Sequence, residues 1–264
     1  MIKIGNNVID IGSFPDGTIL MKYQPGVGIG LPIVWHYEND REFLALIYLV
    51  KHLNRLGYEY LELHMPYIPN ARMDRVKNND DIFTLKYFAE ILNSLNFESV
   101  YVLDPHSSVS EALINNLRVI RPVGYIQTAL LKMSQLGVEK PLLFYPDEGA
   151  AKRYSSMVEC PYAFGIKRRN WETGAIEGLD VAGAIDQIAG RDILIVDDIC
   201  SRGGTFYHSA KKLKELGTND IYLYISHCEN TILEGDLLKG DLIKKVYTTD
   251  SIFTKEHERI EVLK

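Results

Sequence analysis

The chain is short of cysteine, of long apolar runs and of positive charge, and each shortage closes off a class of protein. Three cysteines in 264 residues, Cys160, Cys200 and Cys228, are odd in number and nowhere spaced C-x-x-C. That argues against a disulfide framework or a structural zinc and predicts reduced thiols. The longest apolar run, FLALIYLV at 43–50, falls far short of the roughly 20 residues that a membrane-spanning helix needs. The opening segment MIKIGNNVIDIG has neither the basic n-region nor the apolar h-region of a secretory signal, so the expected location is the cytoplasm. With a formal net charge of −6 and a pI near 5.7, no global field draws in nucleic acid or an anionic membrane. A polyanionic ligand must be met by a local basic cluster or through a metal ion. Two such clusters exist, ARMDRVK at 71–77 and IKRRN at 166–170.

What is present is the composition of an ordinary α/β protein, 46% hydrophobic and 24% charged with no low-complexity tract. Apolar runs ending in polar or acidic residues recur: YLELHMPY from Tyr60, VYVLDPH from Val100, LLFYPDEG from Leu142, ILIVDD from Ile193 and IYLYISH from Ile221. Their nearly continuous apolar character predicts parallel strands buried on both faces. Helical patterns fall between them, at 40–56, 82–95 and 205–216. In the first, Asn39 with Glu42 suggests a capping box and Gly57 a stop. The stretch TGAIEGLDVAGAIDQIAG fits either a poor helix or a glycine-interrupted hairpin. A boundary near RPVGYI at 121–126 divides the chain into halves, 1–122 and 123–264. In sheets of this kind ligands bind beyond the carboxyl ends of the strands, where every chemically loaded stretch of this sequence falls.

The most informative of these is DILIVDDICSRGGTF at 192–206. Glycine-rich backbone delivered to a helix start forms a seat for phosphate. Two aspartates cannot bind phosphate, but they can accept from a sugar diol or hold a divalent cation's waters. Together they describe a phosphorylated pentose; the competing reading is a solvated strand-end turn.

The run ILIVDDICSRGGT resembles the ribose-phosphate loop shared by type I phosphoribosyltransferases and phosphoribosyl-pyrophosphate (PRPP) synthetases, the ribose-phosphate pyrophosphokinases. Six further blocks resemble the synthetases in family order: SFPDGT, MPYIPNARMDRVKNND, VLDPHSS, YPDEGAAKR, KRR and VYTTDSI. The resemblance implies an α/β fold of two phosphoribosyltransferase-like domains, each a mainly parallel sheet flanked by helices. It places ATP and metal segments in 1–122, and the ribose 5-phosphate and catalytic loops in 123–264. The implied activity is transfer of the β,γ-diphosphoryl group of Mg-ATP to the C1 hydroxyl of ribose 5-phosphate, giving PRPP and AMP. Residues carried over by motif are Lys167 and Arg169 as the flexible-loop catalytic pair, and Asp16, Gly17, Thr18, Arg72 and Met73 for ATP. Arg169, Asp197, Asp198, Ser201, Arg202, Gly203, Gly204 and Thr205 would hold ribose 5-phosphate, and His106 and Asp147 a Mg2+ ion. The family borrows the adenine side, here Asp16 to Thr18, from a neighbouring subunit, which implies a homo-oligomer, dimer or hexamer. The expected partners are ATP and ribose 5-phosphate, with no nucleic acid and no membrane.

Several positions depart from the family pattern. Met73 replaces a glutamine, Thr18 a glutamate and Arg202 a threonine; Pro105 is also atypical, and Ser201, where many bacterial members have aspartate, matches the transferase and archaeal style of loop. The chain also starts close to its FPDG loop, ahead of which longer members carry a strand and helix. Two rival readings remain. A phosphoribosyltransferase joining PRPP to a nucleobase leaves NARMDR, LDPH and KRR unused, and a catalytically silent regulatory homologue leaves the reactive residues without a purpose.

Overall fold

A computed structural model of the protein describes residues 1–24, 30–169 and 176–264, with the backbone alone at 167–169 and 176–177. The chain divides into two compact units, Met1–Arg121 and Pro122–Lys264. Among the described residues no helix is long and apolar enough to cross a membrane, and the three cysteines are free.

The first unit opens with short strands β1 (Ile2–Ile4), β2 (Asn7–Val8), β3 (Ile11–Ser13), β4 (Ile19–Met21) and β5 (Ile33–Trp35). Helix α1 (Asp40–Arg55), β6 (Glu62–His64), α2 (Thr84–Asn93), β7 (Ser99–Leu103), α3 (Ser108–Leu113) and β8 (Leu117–Ile120) follow. Its six-stranded sheet has the order β2-β1-β5-β6-β7-β8. The pairs from β5 to β8 are parallel, whereas β1 runs antiparallel to both its neighbours; β3 and β4 form a separate hairpin. Helix α1 starts where the Asn39 side chain accepts from the Glu42 backbone N–H at 3.3 Å. Its apolar stripe, Ala45, Leu46, Leu49, Val50 and Leu53, is fully buried, and each such leucine contributes about 2 kcal/mol of burial free energy. Gly57, at φ 89°, takes the left-handed conformation that ends it. Trp35 lies at the centre of this core, stacked on Phe43 with ring centroids 5.7 Å apart.

The second unit contains α4 (Val123–Gln135), β9 (Leu142–Tyr145), α5 (Glu148–Tyr154), β10 (Tyr162–Arg169), β11 (Ile176–Gly183), β12 (Ile193–Cys200), α6 (Gly204–Glu215), β13 (Ile221–Cys228), β14 (Lys245–Thr249) and β15 (Ile260–Leu263). The seven strands are ordered β11-β10-β9-β12-β13-β14-β15, and every pair except β10–β11 is parallel. Alternation along the central strands feeds two cores. Ile193, Ile195, Leu223 and Ile225 pack on one face, and Leu194, Val196, Tyr222 and Tyr224 on the other. The ambiguous stretch from Thr173 is strand over Ile176–Gly183, where Val181 to Gly183 pair with Gly165 to Ala163, and a short 3-10 turn at Ile185–Gln187; residues 173–175 lie outside the described set. Both units are thus mainly parallel α/β sheets, and in both the helices begin at the carboxyl ends of the central strands.

Candidate active site

In the second unit, β12 and β9 are parallel neighbours, so their carboxyl ends bring Asp197, Asp198 and Asp147 to one edge. Asp147 is the N-cap of α5, where its Oδ1 accepts from the Ala150 backbone N–H at 3.0 Å. Asp198 is buried, and Arg153, from the last turn of α5, reaches it with Nη1 3.1 Å from Oδ2. Arg153 also lies over the Tyr154 ring, which restrains its guanidinium. Asp197 accepts from the Asp198 backbone N–H at 3.0 Å. Burial first, and then the neighbouring charges of Asp198 and Asp147, push its carboxyl well above the usual carboxylate range. An acid that holds its proton more tightly, beside one paired to a guanidinium, can offer a hydrogen-bond donor next to an acceptor when it is protonated, an arrangement that suits two adjacent hydroxyls.

The turn after β12 is shaped by glycine. Gly203 is the N-cap of α6 in the left-handed conformation, φ 80°, and contributes no side-chain cap to the first turn. Nothing lies within 4 Å of where a Cβ on Gly204 would project. A glycine-lined helix start with its amides uncapped by side chains is the arrangement that receives a phosphate. Ser201 Oγ lies 3.2 Å from Thr231 Oγ1, and Arg202 pairs with Glu234 at 3.1 Å. Thr205 is the second residue of α6.

In the first unit, Arg72 and Met73 are exposed on the loop between β6 and α2. Asp74, between the two arginines of that loop, is buried and accepts from Arg75 Nε at 2.8 Å. Burial raises its carboxyl, but the Arg75 hydrogen bond and charge, together with the charge of nearby His106, outweigh that and hold it below the usual range. His106, which follows β7, is half-buried. The sequence reading passed over Asp74, although a carboxylate flanked by arginines in RMDR was the available signal. Asp16, Gly17 and Thr18 form the exposed tip of the β3–β4 hairpin, where Asp16 Oδ1 accepts from the Thr18 N–H at 3.0 Å and its hydroxyl at 2.7 Å. These two hydrogen bonds, the hydroxyl first, lower the Asp16 carboxyl.

The backbone of Lys167 and Arg169 belongs to β10. Lys167 pairs with Leu179, and the register shifts between Arg168 and Arg169. The expectation of a loop is therefore corrected: the KRR run is the end of a strand in a two-stranded antiparallel arm. The side chains of both lie outside the described residues. Arg153 was the other residue overlooked in the sequence, the last letter of YPDEGAAKR.

Among the described residues no group of three or more His, Cys, Asp or Glu side chains is placed to hold a metal ion. Of the two residues the resemblance assigns to a metal, Asp147 offers the hard carboxylate oxygen that magnesium prefers, and His106 an imidazole nitrogen that it takes less readily.

No family model matches the chain. Curated relatives named ribose-phosphate pyrophosphokinase do. The enzyme of Thermococcus kodakarensis is 28% identical over 224 residues, 83% of this chain and 77% of that protein. That of Saccharolobus solfataricus is 23% identical over 228 residues, 84% and 75%, and that of Buchnera aphidicola 26% identical over 264 residues, 96% and 80%. The solved structure of phosphoribosylpyrophosphate synthetase from Mycobacterium smegmatis superimposes with a TM-score of 0.78 at 17% identity, covering 97% of this chain and 85% of that one. The chain is similar in sequence to ribose-phosphate pyrophosphokinases over most of its length, and in fold to a phosphoribosylpyrophosphate synthetase over nearly all of it.

Proposed function

We propose that the protein is a ribose-phosphate diphosphokinase that makes PRPP and AMP from ATP and ribose 5-phosphate. The observation that carries this reading is the coincidence of two things: similarity to ribose-phosphate pyrophosphokinases along most of the chain, and an acidic strand end beside an uncapped glycine turn. The amides of Ser201 to Thr205 take the 5-phosphate, and Asp197 and Asp198 take the sugar hydroxyls as donor and acceptor. Arg72 and Met73 take ATP, with Asp16, Gly17 and Thr18 supplied across a subunit boundary of a homo-oligomer, dimer or hexamer. In the reaction the anomeric oxygen bonds to the β-phosphorus in line, the bond from that phosphorus to the bridging α–β oxygen breaks, and AMP departs with that oxygen. The hydroxyl proton passes to solvent. Lys167 and Arg169 stabilise charge on the transferring group, the step in which fixed cations count most. The resemblance assigns metal-binding roles to His106 in the first unit and to Asp147 in the second, each taken by itself, and Mg2+ would neutralise phosphate charge when bound. Acting on soluble phosphorylated substrates, the enzyme works in the cytoplasm.

The test is to supply purified protein with ATP, magnesium and ribose 5-phosphate and to quantify AMP, ADP and PRPP. AMP and PRPP in equal amounts, formed only with the sugar phosphate present, are expected. A preparation that yields neither, in an assay where a known synthetase works, removes this reading. Release of pyrophosphate from PRPP with a nucleobase points instead to the transferase. Lys167→Ala should cut turnover by about a hundredfold or more while ATP binding, followed by calorimetry, stays within about twofold.

A further inference from the structure

Arg202 is the one residue of the glycine turn that the proposed chemistry uses only as a neighbour of phosphate. Its surroundings give it a more specific part. The stretch after β13 runs along the turn and supports it residue by residue. The Glu229 N–H donates to the Cys200 carbonyl at 2.8 Å, and Thr231 meets the Ser201 hydroxyl while donating to Glu229 Oε2 at 3.1 Å. A Cβ on Gly235 would run into the Arg202 carbonyl, and one on Gly203 would stand 2.8 Å from Leu237 Cδ2. The backbone of the turn is therefore fixed by close packing and hydrogen bonds that do not involve the Arg202 side chain.

The side chain makes a different kind of contact. Its guanidinium lies 3.1 Å from Glu234 Oε2, and the two side chains are 72% and 59% exposed. An ion pair so open to water adds little stability and exchanges readily. A phosphate seated at the start of α6, two residues along the chain, offers a dianion with several acceptor oxygens, which a planar guanidinium matches better than a single carboxylate does.

We propose that Arg202 is a specificity-determining residue for the phosphate end of the sugar, and that Glu234 competes for it. The guanidinium rests on Glu234 and transfers to the substrate's phosphate on binding, so Glu234 sets the affinity by holding back its partner. This rests on the reading of 201–205 as the ribose 5-phosphate loop.

The experiment compares wild type with Arg202→Ala, Arg202→Lys, Glu234→Gln and the Arg202→Ala/Glu234→Gln pair. KM for ribose 5-phosphate is read at saturating Mg-ATP, and KM for ATP at saturating sugar. Arg202→Ala is expected to raise the sugar KM about tenfold, Arg202→Lys less, and Glu234→Gln to lower it about two- to threefold. In the double variant the Glu234 effect disappears, while KM for ATP holds within about twofold throughout. A simple buttress predicts something else: both single substitutions would raise the sugar KM together. That outcome overturns the inference, as does an unchanged KM in Arg202→Ala or a Glu234 effect that persists without Arg202. If wild type turns over no substrate, the proposed reaction fails. Calorimetric titration of ribose 5-phosphate into the same proteins then decides the present inference alone, by the same opposed directions, with absence of binding counting against it.

Discussion

Arg153 has a half-buried side chain 3.1 Å from a carboxylate that is almost wholly withdrawn from water. Removing one partner of such a pair leaves the buried charge with fewer compensating contacts, which costs more than the pair itself contributes. Arg153→Ala is therefore expected to lower unfolding free energy in urea by about 3 kcal/mol, and Arg153→Lys by less, since the ammonium keeps the charge but loses the planar fork. An Arg153→Ala protein as stable as wild type would mean that Asp198 is satisfied by its other contacts. Residues of this kind are hard to read in a sequence. Asp197 and Asp198 announce themselves by adjacency, whereas Arg153 and Asp74 matter because of who stands beside them in space. Arg75 is an exposed loop residue and at the same time the partner of a buried acid.

At the scale of elements, the turn from β12 into α6 separates two glycines that look equivalent in SRGGT. Gly203 has a left-handed backbone and no room for a methyl group beside Leu237. Gly204 opens α6 with open space where a Cβ would go. Gly203→Ala should therefore cost about 2 kcal/mol of stability from backbone strain alone, with a lower melting temperature and a higher KM for ribose 5-phosphate. Gly204→Ala should leave the melting temperature equal or slightly raised while still raising that KM, because its methyl group projects where the phosphate approaches. Melting curves and kinetics on the two variants check this; equal melting behaviour would contradict the assigned geometry. The elements legible beforehand were those whose pattern is set by burial on both faces, such as β13, all of whose residues are buried, or by explicit caps, such as α1. The short β1, β2 and β8 were not, because two to four residues carry too little periodicity. The stretch that forms β11 was left open between a poor helix and a hairpin because glycines at 178 and 183 interrupt either period. Gly165 is needed where the β10–β11 arm passes the Pro146 carbonyl, which a Cβ would approach to 2.7 Å. Such a requirement comes from a neighbouring strand and leaves no mark in the local pattern.

For the molecule as a whole, the acidic strand end sets function against stability. The Asp197 carboxyl is raised by burial and by the charges of Asp198 and Asp147, so the folded protein binds this proton more tightly than the unfolded chain does. In the pH range above the ordinary carboxylate value the folded state therefore holds more protons, and its stability falls as pH rises. Asparagine in place of Asp197 keeps the shape and removes the titration. Asp197→Asn is expected to melt higher than wild type at pH 8, by an amount that shrinks as the pH is lowered and vanishes below about pH 4, where the acid is protonated folded and unfolded alike. Its turnover with ribose 5-phosphate should fall at the same time, since the amide offers a fixed donor where the acid can change its proton. Melting temperatures of the two proteins from pH 4 to pH 8 decide it. A wild type that melts higher than the variant at pH 8 would mean that Asp197 is ionised in the folded protein and held by a cation. The donor-and-acceptor reading of the acidic pair would then fall with it.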